Sequence, residues 1–501
     1  MINLPAVAPA EMSTTAATPE ALSHLEPTAV WAHFATLCRI PRPSKQEGPL
    51  REHLRQWAEG LGLATLVDQA GNLIVRKPAT PGREHLPGLV LQGHLDMVCQ
   101  KNSDSKHDFS RDPIQPVLQD GWVKAEGTTL GADNGMGVAM ILALLADQSL
   151  PHGPIEALFT VDEEAGMGGA QGLQPGLLQG RLMLNLDTEA WGEFYLGCAG
   201  GMDVNVARTG LAEPMPPEHD AWRISLTGLR GGHSGVNIHE ERGNAIKLLV
   251  RVLRGLEALG DVRLVSLQGG TARNALPREA FAVVAVPEAL AADLAQVLLS
   301  WQALLQQELE GVEPRLALRA EAVQATQVMA AAEQDIWLQS LHAAPHGVRR
   351  MSQRVPGVVE TSNNLGMVEL TPTGGSCNFM VRSLRDSGSQ ALADEIVSLW
   401  ALSGTQAEQS GAYPGWTPNP DSPLLTLCQR VYQREFQQAS ATQVIHAGLE
   451  CGIIAAKYPG MDIVSFGPTI RGAHAPGEQV EVASVARTWQ LFTAIVSAIG
   501  T

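Results

Sequence analysis

Short apolar segments recur through the first 190 residues, and a long helical segment separates the middle two; this alternation restricts the fold more than any other feature. Four segments are strand candidates, namely NLIVRK (72–77), GLVLQG (88–93), EALFTV (156–161) and RLMLNL (181–186). The segment NGMGVAMILALLAD (134–147) has the small and apolar residues of a helix packed on a sheet. Buried strands that alternate with helices predict an α/β sheet with parallel character. Such sheets hold their chemistry beyond the carboxyl ends of the strands.

The pattern changes after about residue 200. HDAWRISLTGL (219–229) alternates polar and apolar residues like a half-exposed strand, and GNAIKLLVRVLRGLEALG (243–260) has the period of an amphipathic helix. The element order β-α-β-β-α is predicted here and again from about residue 314 to 400, while DIVSFGP (462–468) restores the α/β pattern. We therefore expect a catalytic domain with a mixed, largely parallel sheet and flanking helices. Its two parts are residues 28–200 and 406–501, interrupted by an α+β lid of two β-α-β-β-α-type units at 201–405.

The charge balance argues against two classes of partner. The chain has 35 Lys and Arg against 52 Asp and Glu, a formal charge of −17, which repels nucleic acid and anionic membranes. It has no apolar run of about 18 residues and no basic signal-peptide start, and its first 20 or so residues are expected to form a loose tail. The six cysteines show no C-x-x-C pair. Such cysteines are typical of reduced thiols, so we expect a cytoplasmic protein.

Charged side chains stand where the apolar strand segments end or where the loop before the helical segment 134–147 meets it. They are His94, Asp96, Asp133, Glu163, Glu164 and Asp187, with His474 in the later segment GAHAPGE. Unpaired buried charges lose much of their hydration energy, so cations are expected among them. Two divalent ions would balance three ligand carboxylates and a bridging hydroxide. Mixed nitrogen and oxygen ligands suit Zn²⁺ best, with Co²⁺ or Mn²⁺ as alternatives.

The spacing of these residues suggests different roles. In an extended chain, Asp96 points to the same side as His94, so it can accept the ring N–H that does not bind metal. Glu163 and Glu164 diverge in an extended chain, so one would bind metal while the other acts as general base. Taken singly, each motif has a simpler interpretation: a loop histidine near an acid, a solvated acidic surface, or a helix-capping turn. Their joint order along the predicted sheet favours a metal centre.

Nine motifs carry a resemblance to a known family. They are GHLDMV, GADNGMG, DEEAGMGGA, LNLDTE, GGHSG, RNALPRE, TSNNLG, HAGLECG and GAHAPGE. Together they resemble the aminoacyl-histidine dipeptidases, a branch of the dinuclear zinc aminoacylase, carboxypeptidase and dipeptidase family, over about residues 30 to 490. The resemblance implies that His94 and Asp187 hold one metal, Glu164 and His474 the other, Asp133 bridges both, Glu163 is the base, and Asp96 braces His94.

Four residues of the later segments are candidate substrate contacts. By resemblance, His233 in RGGHSG stabilises the oxyanion and Asn274 in TARNALP binds substrate, although a polar residue in a Gly-rich turn is the simpler interpretation of His233. Arg382 is a candidate clamp for the substrate's terminal carboxylate, with a surface arginine as the alternative. Glu450 is a candidate for holding the substrate's amino group, with an acid that serves only the helix dipole as the alternative.

The resemblance implies a cytosolic metallodipeptidase that acts on dipeptides with a free amino terminus, Xaa-His substrates such as β-alanyl-histidine among them. A bridging hydroxide would attack the peptide carbonyl, with Glu163 as general base. An N-acyl amino acid deacylase on the same centre, or a non-catalytic binding protein that retains the fold, remains as an alternative. In smaller relatives the lid histidine is donated across a dimer. Here a doubled lid could supply both halves, so we expect a complete site in one chain, with a homodimer left open.

Overall fold

The computed structural model describes residues 22–500, which form two compact units. The first unit comprises the described residues up to Tyr195, together with Pro420–Thr442 and residues 457–500. The second comprises Leu196–Asn419 and Gln443–Ala456. The expected loose tail of the first 20 or so residues lies outside the described residues. Among the residues described, no helix combines the length and apolarity that crossing a membrane requires.

The elements follow one another in the order of the chain. The helices are α1 (Thr28–Arg39), α2 (Gly48–Gly60), α3 (Ala132–Ala146), α4 (Gly168–Gly172), α5 (Ala245–Glu257), α6 (Glu288–Ala291), α7 (Leu294–Glu308), α8 (Ala331–Ala343), α9 (Asp386–Ala401), α10 (Pro423–Phe436), α11 (Glu450–Lys457) and α12 (Val482–Ala498), with a short 3₁₀ helix at Ile238–Glu240. The strands are β1 (Ala64–Val67), β2 (Leu73–Lys77), β3 (Leu89–His94), β4 (Pro116–Gln119), β5 (Trp122–Ala125), β6 (Ile155–Thr160), β7 (Leu182–Asn185), β8 (Glu193–Cys198), β9 (Gly200–Thr209), β10 (Ala212–Pro214), β11 (His219–Thr227), β12 (Gly232–His233), β13 (Arg263–Gly269), β14 (Ala275–Leu276), β15 (Ala280–Pro287), β16 (Ala317–Ala322), β17 (Gln327–Met329), β18 (Gly347–Met351), β19 (Val359–Thr371), β20 (Gly374–Ser383), β21 (Gln406–Tyr413), β22 (Ala441–Ile445), β23 (Asp462–Ser465), β24 (Ile470–Arg471) and β25 (Gln479–Glu481).

The main sheet of the first unit runs in the order β1-β2-β6-β3-β7-β23-β8-β22. Its four central strands, β6, β3, β7 and β23, are parallel to one another, and β2 and β1 continue the sheet antiparallel beyond β6. Every residue of β3 and β6 is buried, and α3 is buried along nearly its whole length. The expectation of a mixed, largely parallel sheet with flanking helices is confirmed.

A row of polar side chains crosses the centre of this sheet. Gln92 donates to Thr160 at 3.1 Å, Asn185 donates to Gln92, and Ser465 donates to Asn185, so four strands are joined side by side. All four side chains are fully buried. Since buried polar groups are stable only when hydrogen-bonded, this row specifies which residues of the four strands lie opposite one another. Gln92 and Asn185 each lie two residues before a candidate metal ligand, so the row fixes the level at which the site residues leave the sheet.

The second unit contains a nine-stranded antiparallel sheet. Its order is β16-β11-β15-β13-β19-β20-β9-β21, with β18 paired to β19. The expected β-α-β-β-α order occurs twice, as β11-α5-β13-β15-α7 and β16-α8-β19-β20-α9, apart from short additional elements. The core beside this sheet includes Leu249 and Leu253 of α5, Trp337 of α8 and Trp400 of α9. Because β16 of the second copy pairs with β11 of the first, both copies build one sheet.

Candidate metal centre and substrate residues

Two imidazoles face a shared carboxylate in the first unit. His94 Nε2 lies 3.2 Å from Asp133 Oδ1 and 3.4 Å from Asp187 Oδ1. His474 Nε2 lies 3.1 Å from Asp133 Oδ2 and 3.2 Å from Glu164 Oε1. Asp133 therefore stands between the two histidines with one oxygen directed at each.

The fold brings these five side chains together from distant parts of the chain. His94 is the last residue of β3, Asp187 lies two residues after β7, and Glu164 lies in the turn after β6. Asp133 stands in the first turn of α3 with non-helical backbone angles, φ −80° and ψ 112°. His474 lies in the loop between β24 and β25. The carboxyl ends of parallel strands share one edge of the sheet, which is why three of the five meet there.

Asp96 contacts both His94 and the glutamate pair. Its Oδ1 lies 3.3 Å from His94 Nδ1 and accepts the backbone N–H of Glu163 at 3.0 Å. Its Oδ2 accepts the backbone N–H of Glu164 at 3.0 Å and the hydroxyl of Ser44 at 2.7 Å. Burial raises the pKa of Asp96, but the hydrogen bonds from His94, Ser44 and the Glu163 amide outweigh it and lower this pKa to about 2. Asp96 is therefore an ionised acceptor for four donors.

The glutamate pair lies in a turn, not in extended chain. The backbone N–H groups of Gly166 and Met167 both donate to the carbonyl of Glu163. The expectation that the chain is extended at Glu163 and Glu164, so that their side chains diverge, is therefore wrong. The two glutamates differ in their side-chain contacts, because Glu164 Oε1 lies 3.2 Å from His474 Nε2. Their backbones are held alike, since Asp96 accepts the backbone N–H of each.

The electrostatics of the cluster favour bound cations. Burial raises the pKa of Asp187 to about 7, and the nearby carboxylates of Asp133 and Glu164 add to this effect. Hydrogen bonds to Asp133 and Glu164 raise the pKa of His474 to about 11. Both shifts favour the protonated forms of Asp187 and His474, which reduce the net negative charge of the cluster. Divalent ions would displace those protons on binding.

The donor set fits divalent metal ions. One ligand atom from each of His94, Asp133 and Glu164 lies within 4.8 Å of the other two. Ligand atoms that each lie about 2.0–2.2 Å from one ion can be at most about 4.4 Å apart. The distances of 3.2 and 3.4 Å from His94 Nε2 to Asp133 and Asp187, and of 3.1 and 3.2 Å from His474 Nε2 to Asp133 and Glu164, fall within that limit. Imidazole nitrogens mixed with carboxylate oxygens suit zinc, and cobalt or manganese can occupy such a site.

Two buried residues near Asp133 were missed by the sequence analysis. Glu478 accepts hydrogen bonds from the backbone that precedes Asp133, and Arg42 donates to backbone carbonyls beside His94. Glu478 closes the motif GAHAPGE, from which only His474 had been selected. Arg42 carries no comparable signal because its contacts are all to backbone atoms.

His233 and Asn274 are neighbours in the second unit. β12 pairs with β14 so that His233 faces Ala275, and the backbone N–H of Ser234 donates to the carbonyl of Asn274 at 2.8 Å. His233 Nδ1 accepts the backbone N–H groups of Gly235 and Val236 at 3.1 and 3.0 Å. A neutral imidazole that accepts at Nδ1 carries its proton on Nε2. The ring is therefore set to donate from Nε2.

Arg382 and Glu450 are both buried in the second unit. Arg382 lies on β20 with 4% exposure, and its Nη1 donates to Tyr413 Oη at 2.9 Å. The alternative of a surface arginine is therefore wrong. Glu450 begins α11 and is fully buried. Near Arg382, His446 Nε2 lies 2.7 Å from Ser362 Oγ, and burial, then the charge of Arg382, lowers the pKa of His446 to about 3.

The chain is similar to known proteins over nearly its whole length. The profile of Peptidase family M20/M25/M40 matches residues 90–498. The cytosol non-specific dipeptidase of Escherichia coli (strain K12) is 47% identical over 483 residues, which are 95% of this chain and 99% of that protein. The aminoacylhistidine dipeptidase structure from Vibrio alginolyticus has a TM-score of 0.85 at 45% identity and covers 95% of this chain and 98% of its own. Aminopeptidase PepT from Bacillus cereus has a TM-score of 0.56 at 16% identity, covers 95% of this chain and 100% of its own, and is similar in fold alone.

Proposed function

The chain belongs to Peptidase family M20/M25/M40, and on that premise we propose that it is a metal-dependent dipeptidase for dipeptides with a free amino terminus. Xaa-His dipeptides such as β-alanyl-histidine are the proposed substrates. Two relatives, a cytosol non-specific dipeptidase and an aminoacylhistidine dipeptidase, support this choice by their names. The first name also supports a cytoplasmic location.

The observation that carries the proposal is the position of Asp133 between two histidines. Its Oδ1 faces His94 and its Oδ2 faces His474. A carboxylate in this position suits a bridge between two ions, with Asp187 beside His94 and Glu164 beside His474 completing the two ligand sets. We assign two divalent ions, with Zn²⁺ first and Co²⁺ or Mn²⁺ as substitutes.

Bound divalent ions would polarise the peptide carbonyl and lower the pKa of water at the site to near 7. Glu163 is the proposed general base, which takes a proton from that water and returns it to the leaving amine. Asp96 supports this role because it holds the Glu163 amide at 3.0 Å while it braces the ring of His94. The carboxylate of Asp96 thus fixes the position of the proposed base, Glu163, relative to the proposed metal ligand His94.

The second unit would supply the substrate contacts. His233 is the proposed oxyanion donor, because its Nε2 carries the proton while Nδ1 is occupied by two backbone amides. Arg382 would bind the terminal carboxylate through its guanidinium. Asn274, beside His233, and buried Glu450 are proposed to hold the dipeptide backbone and its amino group. Closing of the lid, residues 201–405, would exclude water.

The test is a substrate panel assayed after chelation. The purified protein is stripped of metal, reloaded in turn with Zn²⁺, Co²⁺ or Mn²⁺, and assayed with β-alanyl-histidine, other Xaa-His dipeptides, dipeptides without histidine and N-acetyl-histidine. We expect metal to restore hydrolysis of the dipeptides and to leave the blocked N-acetyl substrate intact.

Two results would contradict the proposal. Preferential hydrolysis of N-acetyl-histidine would identify a deacylase, because that substrate offers no amino group for an acid to hold. Binding of about two metal equivalents without turnover of any dipeptide would identify a binding protein that retains the fold.

A further inference from the structure

Glu478 holds the backbone around Asp133. It is 2% exposed, and its Oε2 accepts the backbone N–H groups of Leu130 and Gly131 at 2.8 and 2.9 Å. Its Oε1 accepts the backbone N–H of Asp133 at 3.1 Å. One carboxylate thus fixes three amides in the segment that carries the central carboxylate of the metal centre.

Arg42 binds the same segment through the carbonyl of Gly131, whereas Glu478 binds it through the N–H of Gly131. It is also 2% exposed, and its guanidinium donates to the carbonyls of Leu95 and Asp96, both at 2.9 Å, and to the carbonyl of Gly131 at 2.5 Å. Gly131 has φ +71°, and an added Cβ would lie 2.5 Å from Arg42 Nη2, so only glycine fits. Arg42 therefore connects the segment after His94 to the segment before Asp133.

A purely structural role would be capping of α3. Free N–H groups at a helix start attract a carboxylate, and Glu478 occupies that position. The residue that caps, however, comes from the loop that carries His474, four positions earlier in the chain. The same hydrogen bonds therefore also set the separation of His474 and Asp133, whose Nε2 and Oδ2 atoms are 3.1 Å apart.

We propose that Glu478, supported by Arg42, is a positioning residue that sets the affinity of the centre for divalent ions. It acts through the backbone of Asp133 and His474 and does not bind the ions itself. This inference rests on the proposed function, but only on the part that assigns metal binding to the centre. Residues that orient metal ligands typically change affinity by about 10- to 100-fold when they are replaced.

The test compares Glu478→Gln with Glu313→Gln. The side chain of Gln matches that of Glu in size but replaces one acceptor oxygen with an NH₂ group, which cannot accept the amides. Glu313 is a matched control: it is 1% exposed and accepts the backbone N–H groups of Arg230 and Gly243 at 2.8 and 2.9 Å, in the second unit. Co²⁺ affinity by chelator competition, the visible Co²⁺ spectrum and the melting temperature are measured for each protein.

We expect Glu478→Gln to weaken Co²⁺ binding by about 10- to 100-fold and to alter the Co²⁺ spectrum. Glu313→Gln should change the melting temperature alone. If Glu478→Gln does not fold, Glu478→Asp, which keeps the charge with a shorter reach, is measured in the same way and should also bind Co²⁺ more weakly. Wild-type affinity and spectrum in the folded Glu478 variant would overturn the proposal.

The outcome separates this inference from the proposed function. A wild-type protein that hydrolyses dipeptides, beside a Glu478→Gln protein with unchanged Co²⁺ binding, would overturn the inference and leave the function intact. A wild-type protein that binds Co²⁺ but hydrolyses no dipeptide would overturn the function, while weaker binding by Glu478→Gln would still support the inference.

Discussion

A single carboxylate, that of Asp96, joins the parts of the metal centre that must act together. It contacts the ring of His94 with one oxygen, and it binds the amides of Glu163 and Glu164 with both. The two adjacent glutamates are therefore held equally at their backbones and differ in what their side chains meet. Glu164 lies 3.2 Å from His474, which supports the proposal that Glu164 is the ligand and Glu163 the base.

Replacement of the two glutamates by glutamine should separate these roles. We expect Glu163→Gln to lower kcat by roughly 10²- to 10⁴-fold with unchanged metal content, because only proton transfer is lost. Glu164→Gln should instead lose bound metal, because a ligand charge is removed. Steady-state kinetics and metal analysis of the two purified variants check this. Loss of metal from Glu163→Gln, with retention by Glu164→Gln, would reverse the assignment.

Sequence reasoning selected candidate residues of the proposed centre from motifs at strand ends and at the start of a helix. His94, Asp133 and His474 stand in such motifs, and the structure brings them together. Sequence reasoning could not find Arg42, because a side chain whose hydrogen bonds all go to backbone carbonyls leaves no pattern in the sequence. It also could not tell that Arg382 is buried, because burial of an arginine depends on the strands around it.

At the scale of elements, apolar strands and a strand with polar and apolar alternation could be predicted, and a mostly polar strand could not. β3 and β6 are buried along their whole length and appear in the sequence as largely apolar segments. β21 has the sequence QAEQSGAY and is mostly exposed, so no alternation marks it as a strand. It forms because β9 offers it an edge, a contact between distant parts of the chain.

The buried polar row of the central sheet leads to a graded prediction. Asn185→Ala removes the donor to Gln92 Oε1 and the acceptor of the Ser465 hydroxyl, both in fully buried positions, so we expect it to lower the free energy of unfolding by about 2–5 kcal/mol. Ser465→Ala removes only the last side chain of the row and should lower the free energy of unfolding by about 1 kcal/mol. Urea unfolding and hydrogen exchange of β3 and β7 measure both. Equal losses in the two variants would contradict a continuous row.

At the scale of the whole molecule, the duplicated lid is a single sheet. β16 of the second copy pairs with β11 of the first, and β9, which precedes both copies, pairs with β20 of the second. The strands of the first copy, β11, β15 and β13, lie side by side, whereas β16 of the second copy lies beside β11 and apart from β19 and β20. The prediction that one chain contains both halves of the arrangement, which smaller relatives are expected to assemble from two chains, rests on this duplication.

This duplication predicts that each chain contains a complete site. Glu163→Ala removes the base in the first unit and His233→Ala removes the oxyanion donor in the second, so each variant alone should be nearly inactive. Mixing them, with unfolding and refolding together to allow exchange, should restore no turnover, because each chain still lacks one group. If His233 acted across a dimer, random pairing would make half of the dimers mixed. Each mixed dimer would have one intact site out of two, so about one quarter of wild-type activity would return. Recovery near that level would show that the lid histidine acts on the partner's metal centre, and the single-chain site would then be wrong.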